Sequence, residues 1–247
     1  MGKSIAKTHN VVRLNYAYDQ IREREHPEGM LVCWGAPGYG KTTAACELFV
    51  RERGLIATAN AVWTPKAMLM TLLRELGSDT KGGSNSDLLE EVIGLVADNS
   101  RPIFIDDAQF LFNSKKMLDC LRAIHDVAGS PILLIGQAST AADAGIEKKI
   151  KKFPQVSDRV SHWIEFFPAD VDDCRLVSEM CCSVELDEAL IEALCRETKG
   201  NLRRIRVELA RIQRFGKQQQ LKVCSLERWS ELKRQVAERE TRMRSVG

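Results

Sequence analysis

Apolar residues follow two alternating rhythms over the first two thirds of the chain. Short unbroken runs, "MLVCW" (30–34), "LIATA" (55–59), "PIFI" (102–105), "PILLIG" (131–136) and "HWIEFF" (162–167), suit strands covered on both faces. Between them, "KTTAACELFVRER", "TPKAMLMTLLRELG", "SDLLEEVIGLVADN" and "SKKMLDCLRAIHDVAG" carry apolar residues three and four apart. That spacing gathers them on one face of a helix. Gly54 and Gly77 are expected to stop two of these helices, and Thr64-Pro65 to start one. "SDTKGGSNS" reads as a polar loop. Strand–helix alternation of this kind predicts an α/β fold, a parallel sheet sandwiched by helices.

After Pro168 the strand rhythm fades, and "VDDCRLVSEMC", "LDEALIEALCRETKG", "NLRRIRVELARIQRFG" and "LERWSELKRQVAERETRMR" all have helical spacing. At the other end, Val11, Val12, Leu14, Ala17 and Ile21 mark a helical lead-in broken by "HPEG" (26–29). The expected organisation is a lead-in over 1–28, an α/β domain over 29–168 and a small all-helical lid over 169–247. No internal repeat is visible.

Composition narrows the partners. A chain with 44% hydrophobic and 28% charged residues is ordinary for a globular protein. No apolar run approaches the roughly 20 residues that span a bilayer, and "MGKSIAKTHN" lacks the apolar core of a signal peptide. A Met-Gly start with Ala6 at the sixth position is a poor myristoylation signal. A cytoplasmic protein without membrane contact is the expectation. None of the eight cysteines forms a Cys-x-x-Cys pair and the four histidines are scattered, which suits reduced buried thiols rather than zinc or disulfides. The net charge of +2 is unevenly spread. Residues 199–247 hold 14 Lys or Arg against 5 Glu, leaving the first 198 residues net acidic. A basic C-terminal fifth suits phosphate contacts, or equally a set of solvated amphipathic helices.

"GAPGYGKT" (Gly35, Ala36, Pro37, Gly38, Tyr39, Gly40, Lys41, Thr42), with Thr43 beside it, fits the G-x-x-x-x-G-K-[ST] phosphate loop, with a strand before and a helix after. The glycines bring backbone N–H groups against phosphate oxygens, and the helix start adds its positive dipole end. Lys41 is placed to neutralise the β- and γ-phosphates of ATP, and the Thr42 hydroxyl to ligate Mg²⁺. "PIFIDD" then puts Asp106 at a strand end, expected beside the loop, as the metal-holding acid. Asp107 stands where a glutamate would orient the attacking water. It is one methylene shorter, so slow hydrolysis is expected; alternatively it caps the helix that follows.

Three further positions complete the pattern. Gln137 ends "ILLIGQ" at a strand tip beside the acidic strand, Arg159 precedes the last strand in "FPQVSDRV", and Arg203 and Arg204 open a helix in "GNLRR". Arg159 pairing with Asp158, and Arg203 in an ordinary salt bridge, are the plainer alternatives. The order of phosphate loop, acidic pair, polar strand tip, arginine before the last strand and Gly-x-x-Arg in a lid resembles AAA+ ATPases over nearly the whole chain. The resemblance implies that Arg159 reaches a neighbouring subunit's γ-phosphate and that Arg203 (or Arg204) senses nucleotide in its own subunit. An active oligomer follows from it.

"RERGLIATANAVWTPKAMLMTLLRELG", with "IDDAQFL", is similar to the DNA-transposition ATPases of Mu-like phages, the MuB and TnsC group. That likeness implies an ATP-dependent filament on double-stranded DNA that selects target DNA and recruits and stimulates a transposase, in a bacterial or phage-infected cell. It also implies DNA contacts from Asn60, Lys66, Lys81, Ser84 and Asn85, each equally readable as a solvated loop residue. "EKKIKKF" (Lys148, Lys149, Lys151, Lys152) is a second basic candidate, better suited to a subunit interface. The chain has no room for the N-terminal helix-turn-helix module of the longer Mu-type protein. A helicase loader on single strands is a rival, though only 6% of the chain is aromatic, with no interleaved basic residues for stacking bases. A nucleotide-switched scaffold that never touches nucleic acid is a third reading, and a small-molecule kinase the last.

Overall fold

A computed structural model describes residues 5–23, 29–99, 101–137 and 145–244. The chain divides into two compact units, residues 10–167 and the rest. In the first, strands β1 (Met30–Gly35), β2 (Leu55–Thr58), β3 (Ile103–Asp106), β4 (Ile132–Gln137) and β5 (Val160–Phe166) pair in parallel in the order β2-β3-β4-β1-β5. The central strands are buried along their apolar runs, with Met30 to Cys33, Ile103 to Ile105 and Ile132 to Ile135 all nearly inaccessible. Burial on both faces is why these runs are continuous rather than alternating.

The helices of this unit are α1 (His9–Arg22, its first residue grouped with the second unit), α2 (Lys41–Glu52), α3 (Pro65–Glu75), α4 (Asn85–Asn99), α5 (Lys115–Ala128) and the short α6 (Gly145–Lys151) and α7 (Pro154–Ser157). They follow the sequence pattern closely. Thr64 caps α3, its hydroxyl accepting from Ala67 N at 3.2 Å with Pro65 in the first turn, and Ser114 caps α5 in the same way. A core of Met68, Leu69, Leu72, Leu88, Val92, Leu118 and Leu121 joins α3, α4 and α5 to the sheet.

Three details differ from the sequence reading. α1 packs with the sheet: Tyr18 stacks on Phe104 of β3, and Asn10 exchanges side-chain hydrogen bonds with the backbone of Phe167. Val12, expected on its apolar face, is 52% exposed, whereas Asn10 and Tyr18 are buried. The break expected at "HPEG" falls largely outside the described residues. The residue in left-handed conformation after α2 is Arg53 (φ 53°), not Gly54. Gly54 is small for another reason, since a Cβ there would lie 2.4 Å from the Phe104 ring and 2.8 Å from Pro102 O. Finally, β4 separates β1 from β3, so the acidic strand is one strand removed from the phosphate loop.

The second unit holds α8 (Val171–Cys181), α9 (Glu188–Thr198), α10 (Leu202–Gln218) and α11 (Leu226–Arg244) around Val177, Leu190, Leu194, Ile205, Leu209, Ile212 and Trp229. It is not all-helical. β6 (Glu185–Leu186) and β7 (Val223–Cys224) pair in parallel, each too short to leave an alternating pattern in the sequence. Asp187 links these parts, accepting from Leu190 N as the α9 cap and from Leu226 N at the start of α11. No helix among the described residues is long and apolar enough to cross a membrane.

Candidate nucleotide site

The loop between β1 and α2 is held from below. Gly38 (φ 86°) and Gly40 (φ 87°) take left-handed backbone that a side chain disfavours. No side chain caps α2 at Gly40, so first-turn N–H groups, which have no intrahelical partner, remain for a ligand's oxygens. Lys41 opens the helix and is only 9% exposed. Its ammonium donates to Gly35 O at 2.8 Å and Ala36 O at 3.0 Å, tying the loop's entry to its exit. Under the loop, burial pushes the Cys33 thiol up to about 12; Lys41 pulls it down and Asp106 adds to the rise.

Thr42 and Asp106 come together although 64 residues separate them. The Thr42 hydroxyl donates to Asp106 Oδ2 at 2.9 Å. The other oxygen, Oδ1, accepts from Asp107 N at 2.9 Å, and Asp106 O accepts from Ala59 N. The carboxylate is thus fixed at the C-terminal edge of the sheet, with both members of the expected metal pair in contact.

Asp107 adopts left-handed backbone (φ 52°, ψ 34°), a conformation aspartate tolerates better than most residues. It stands at the start of a one-turn 3-10 helix (Ala108–Phe110), yet its side chain makes no capping hydrogen bond. The capping alternative is therefore not realised. Instead, Asp107 Oδ1 accepts from Gln109 Nε2 at 3.1 Å. Gln109 Oε1 in turn accepts from the backbone N–H of Gln137 at 2.9 Å. Gln137 ends β4 beside Gly35 of β1 with its side chain exposed. Sequence reasoning passed over Gln109. Its tie to Gln137 crosses 28 residues, and no spacing rule marks it.

Arg159 immediately precedes edge strand β5, with its carbonyl accepting from Met30 N. Its guanidinium does not pair with Asp158. It forms a two-pronged bond with Asp126 of α5, Nε to Oδ1 at 3.0 Å and Nη2 to Oδ2 at 3.1 Å. Arg122, one turn back on α5, donates to the same carboxylate at 2.9 Å. Burial raises the Asp126 carboxyl, but the two guanidiniums outweigh it and hold it below its ordinary value. A fork facing two carboxylate oxygens makes two charge-assisted hydrogen bonds at once, which favours this geometry.

The remaining candidate residues belong to other elements. Arg203 and Arg204 are exposed in the first turn of α10, in the second unit, after the Asn201 cap. Among the described residues neither has a carboxylate within ion-pair distance, so the plainer salt-bridge reading of Arg203 is not realised. Asn60 and Lys66 are exposed at and beyond the end of β2. Lys81, Ser84 and Asn85 are exposed where a loop meets α4. That loop is laid along α4 by hydroxyl donation from Ser78 and Thr80 to Glu91. Ser84 also has a local task, exchanging hydrogen bonds with Asp87 as a helix cap. In the basic "EKKIKKF" segment, Lys151 pairs with Glu147 one turn earlier.

Residues 23–142 match a family model described as an AAA domain. No curated protein matches the chain. Among solved structures it is similar to the Aeropyrum pernix ORC1 protein in complex with DNA (16% identity, TM-score 0.61, 95% of this chain and 66% of that one). It is also similar to the Thermotoga maritima RuvB Holliday junction branch migration motor (16%, TM-score 0.61, 93% and 70%). A third is domain III of the Thermotoga maritima replication initiation protein DnaA (16%, TM-score 0.56, 91% of each). The chain spans just under two thirds of the length of the ORC1 protein. These likenesses give the chain the AAA+ P-loop NTPase fold.

Proposed function

We propose that this chain, with an AAA domain match over residues 23–142 and the fold of the similar structures, is an AAA+ ATPase that assembles on double-stranded DNA with ATP bound and hydrolyses that ATP slowly at sites shared between subunits. The observation that carries the reading is the convergence of Lys41, Thr42, Asp106, Asp107 and Gln137 at one edge of the sheet. A hydroxyl and a carboxylate 2.9 Å apart are the hard oxygen donors that Mg²⁺ takes, so the donor set fits the ion. Thr42 and Asp106 would hold it, and its charge would offset that of the phosphates. First-turn N–H groups of α2 bind phosphate oxygens, and Lys41 exchanges its loop carbonyls for the β- and γ-phosphates.

Asp107 orients the water that attacks the γ-phosphorus, and Gln137 hydrogen-bonds the γ-phosphate. ADP and inorganic phosphate leave. Arg159 of a neighbouring copy, released from Asp126, stabilises the charge that builds on the transferred group, an effect worth about 10³ to 10⁵ in rate where an arginine acts so.

The nucleic-acid part is supported by α10. Arg203, Arg204, Arg206, Arg211, Arg214 and Lys217 are all exposed, while Ile205, Leu209, Ile212 and Gly216 turn inward. Helical geometry places these cations along one side over about 21 Å. Only Arg211 has an acidic partner among the described residues, Glu208. The similar structures whose names speak of DNA, a Holliday junction and replication initiation agree with a DNA-related ATPase.

The finer reading is a transposition regulator of the MuB and TnsC kind, selecting target DNA and stimulating a transposase. Its support is the Trp63-Thr64-Pro65 helix start, with Lys66 and Asn60 both exposed for a DNA backbone. Lys81, Ser84 and Asn85, exposed where a loop meets α4, are the other candidates. The replication initiation protein among the similar structures favours a helicase loader as the second reading. Electron microscopy on long double-stranded DNA, with ATP and with ADP, separates them. Ordered filaments only with ATP are the expected result. Preference for single strands would turn the reading to a loader, and bare DNA in both states would remove DNA from it.

A further inference from the structure

Gln109 stands between the two catalytic strand ends, bonded to both. Its amide orientation is dictated by chemistry, because an ionised carboxylate only accepts and a backbone N–H only donates. Nε2 must therefore face Asp107, at 3.1 Å, and Oε1 must face Gln137 N, at 2.9 Å. One side chain so joins the acid at the end of β3 to the tip of β4.

Asp107 needs such a partner. Its left-handed backbone carries it out of β3, its side chain caps nothing, and it lacks the reach of glutamate. Gln109 is the residue whose side chain restrains it by a hydrogen bond among the described residues, and the bond falls on Oδ1 alone. Oδ2 is left to meet a water.

We infer that Gln109 is a positioning residue that aims the Asp107 carboxylate and ties that aim to the tip of β4. The inference rests on Asp107 orienting the attacking water. Gln137 has an exposed side chain, assigned above to the γ-phosphate, and gives its N–H to Gln109. A shift of Gln137 on phosphate loss is passed through the Gln109 amide to Asp107. The water-orienting geometry would then form only when the γ-phosphate is in place.

The test is steady-state ATP turnover with Mg²⁺ and double-stranded DNA, for the full chain and for Asp107→Asn, Gln109→Ala and Gln109→Glu. Gln109→Ala loses both bonds, and kcat is expected to fall about tenfold with KM for ATP within about twofold, since a displacement near 1 Å can cost about 100-fold. Gln109→Glu keeps an acceptor for Gln137 N–H but has no donor for Asp107, so its kcat is expected to stay about tenfold low. A residue that merely clamps β4 would be rescued by Gln109→Glu, with kcat back at the wild-type value. Should Gln109→Ala fail to fold, Gln109→Glu carries the test alone. Low turnover in Asp107→Asn with wild-type kcat in Gln109→Glu overturns the inference. Undiminished turnover in Asp107→Asn overturns the role of Asp107 itself, and that of Gln109 with it.

Discussion

Thr42 and Asp106 meet at 2.9 Å, the hydroxyl in the first turn of α2 donating to the carboxylate at the end of β3. A hydroxyl that donates in this way keeps its lone pairs for a cation. Thr42→Val removes the oxygen and retains the shape. Its dissociation constant for ATP is expected to rise about tenfold or more in Mg²⁺, the scale of one hydrogen bond to a charged group. In EDTA the two proteins should bind ATP nearly alike. Calorimetry in the two buffers checks this, and equal losses in both would mean that Thr42 serves the loop rather than the ion.

Arg159 is engaged before any neighbour arrives, because Asp126 holds its guanidinium at two points. Arg159→Ala should bind ATP normally and fail to hydrolyse it in the assembly. Mixed with Asp107→Asn it should regain turnover, since some shared sites then receive one intact half from each protein. The Asp126 pair also has a pH signature. Its carboxyl lies below the ordinary value, so its stabilisation is present above about pH 4 and is lost as pH falls through the lower folded value. With both partners partly exposed, the pair contributes under about 1 kcal/mol. Urea midpoints of the protein and of Asp126→Asn should differ slightly at pH 7 and draw together as the pH falls below the ordinary carboxylate range.

Much of this site was legible in the sequence because its parts are local. The phosphate loop is eight consecutive residues, and Asp106 and Asp107 are adjacent at the end of an apolar run. The strands were found to within a residue or two because burial on both faces leaves a continuous apolar signal. What escaped were relations between distant residues. Nothing along the chain says that β4 lies between β1 and β3, that Gln109 reaches Gln137, or that Asp126 rather than Asp158 takes Arg159. β6 and β7 escaped for a different reason, since two residues cannot display a period of two.

Cys33 lies in β1 just before the loop, and burial raises its pKa to about 12. A raised thiol pKa means that the fold favours the protonated form. This contribution to stability is complete below about pH 9 and is lost as pH rises towards 12. Cys46 is exposed. A thiol reagent at pH 8 should therefore modify Cys46 within minutes and leave Cys33 untouched until the protein is unfolded, as peptide mapping by mass spectrometry would show. Modification of Cys33 at the same rate as Cys46 would place the loop in frequent opening.

The exposed side of α10 makes a quantitative demand on DNA binding. Removing one cation that neutralises a phosphate should flatten the dependence of log affinity on log salt by about 0.9 on duplex DNA. Arg206, Arg214 and Lys217 share one side of the helix, away from the buried Ile205, Leu209 and Ile212. Replacing the three with Gln should leave the fold intact, flatten the salt slope by between two and three, and weaken binding equally on unrelated sequences, as phosphate contacts do. Nucleotide affinity should not change. Lys66→Gln tests the other candidate surface in the same assay. A salt slope that moves with Lys66 but not with the α10 variant would transfer the DNA to the loops around β2 and leave the α10 cations as a solvated face.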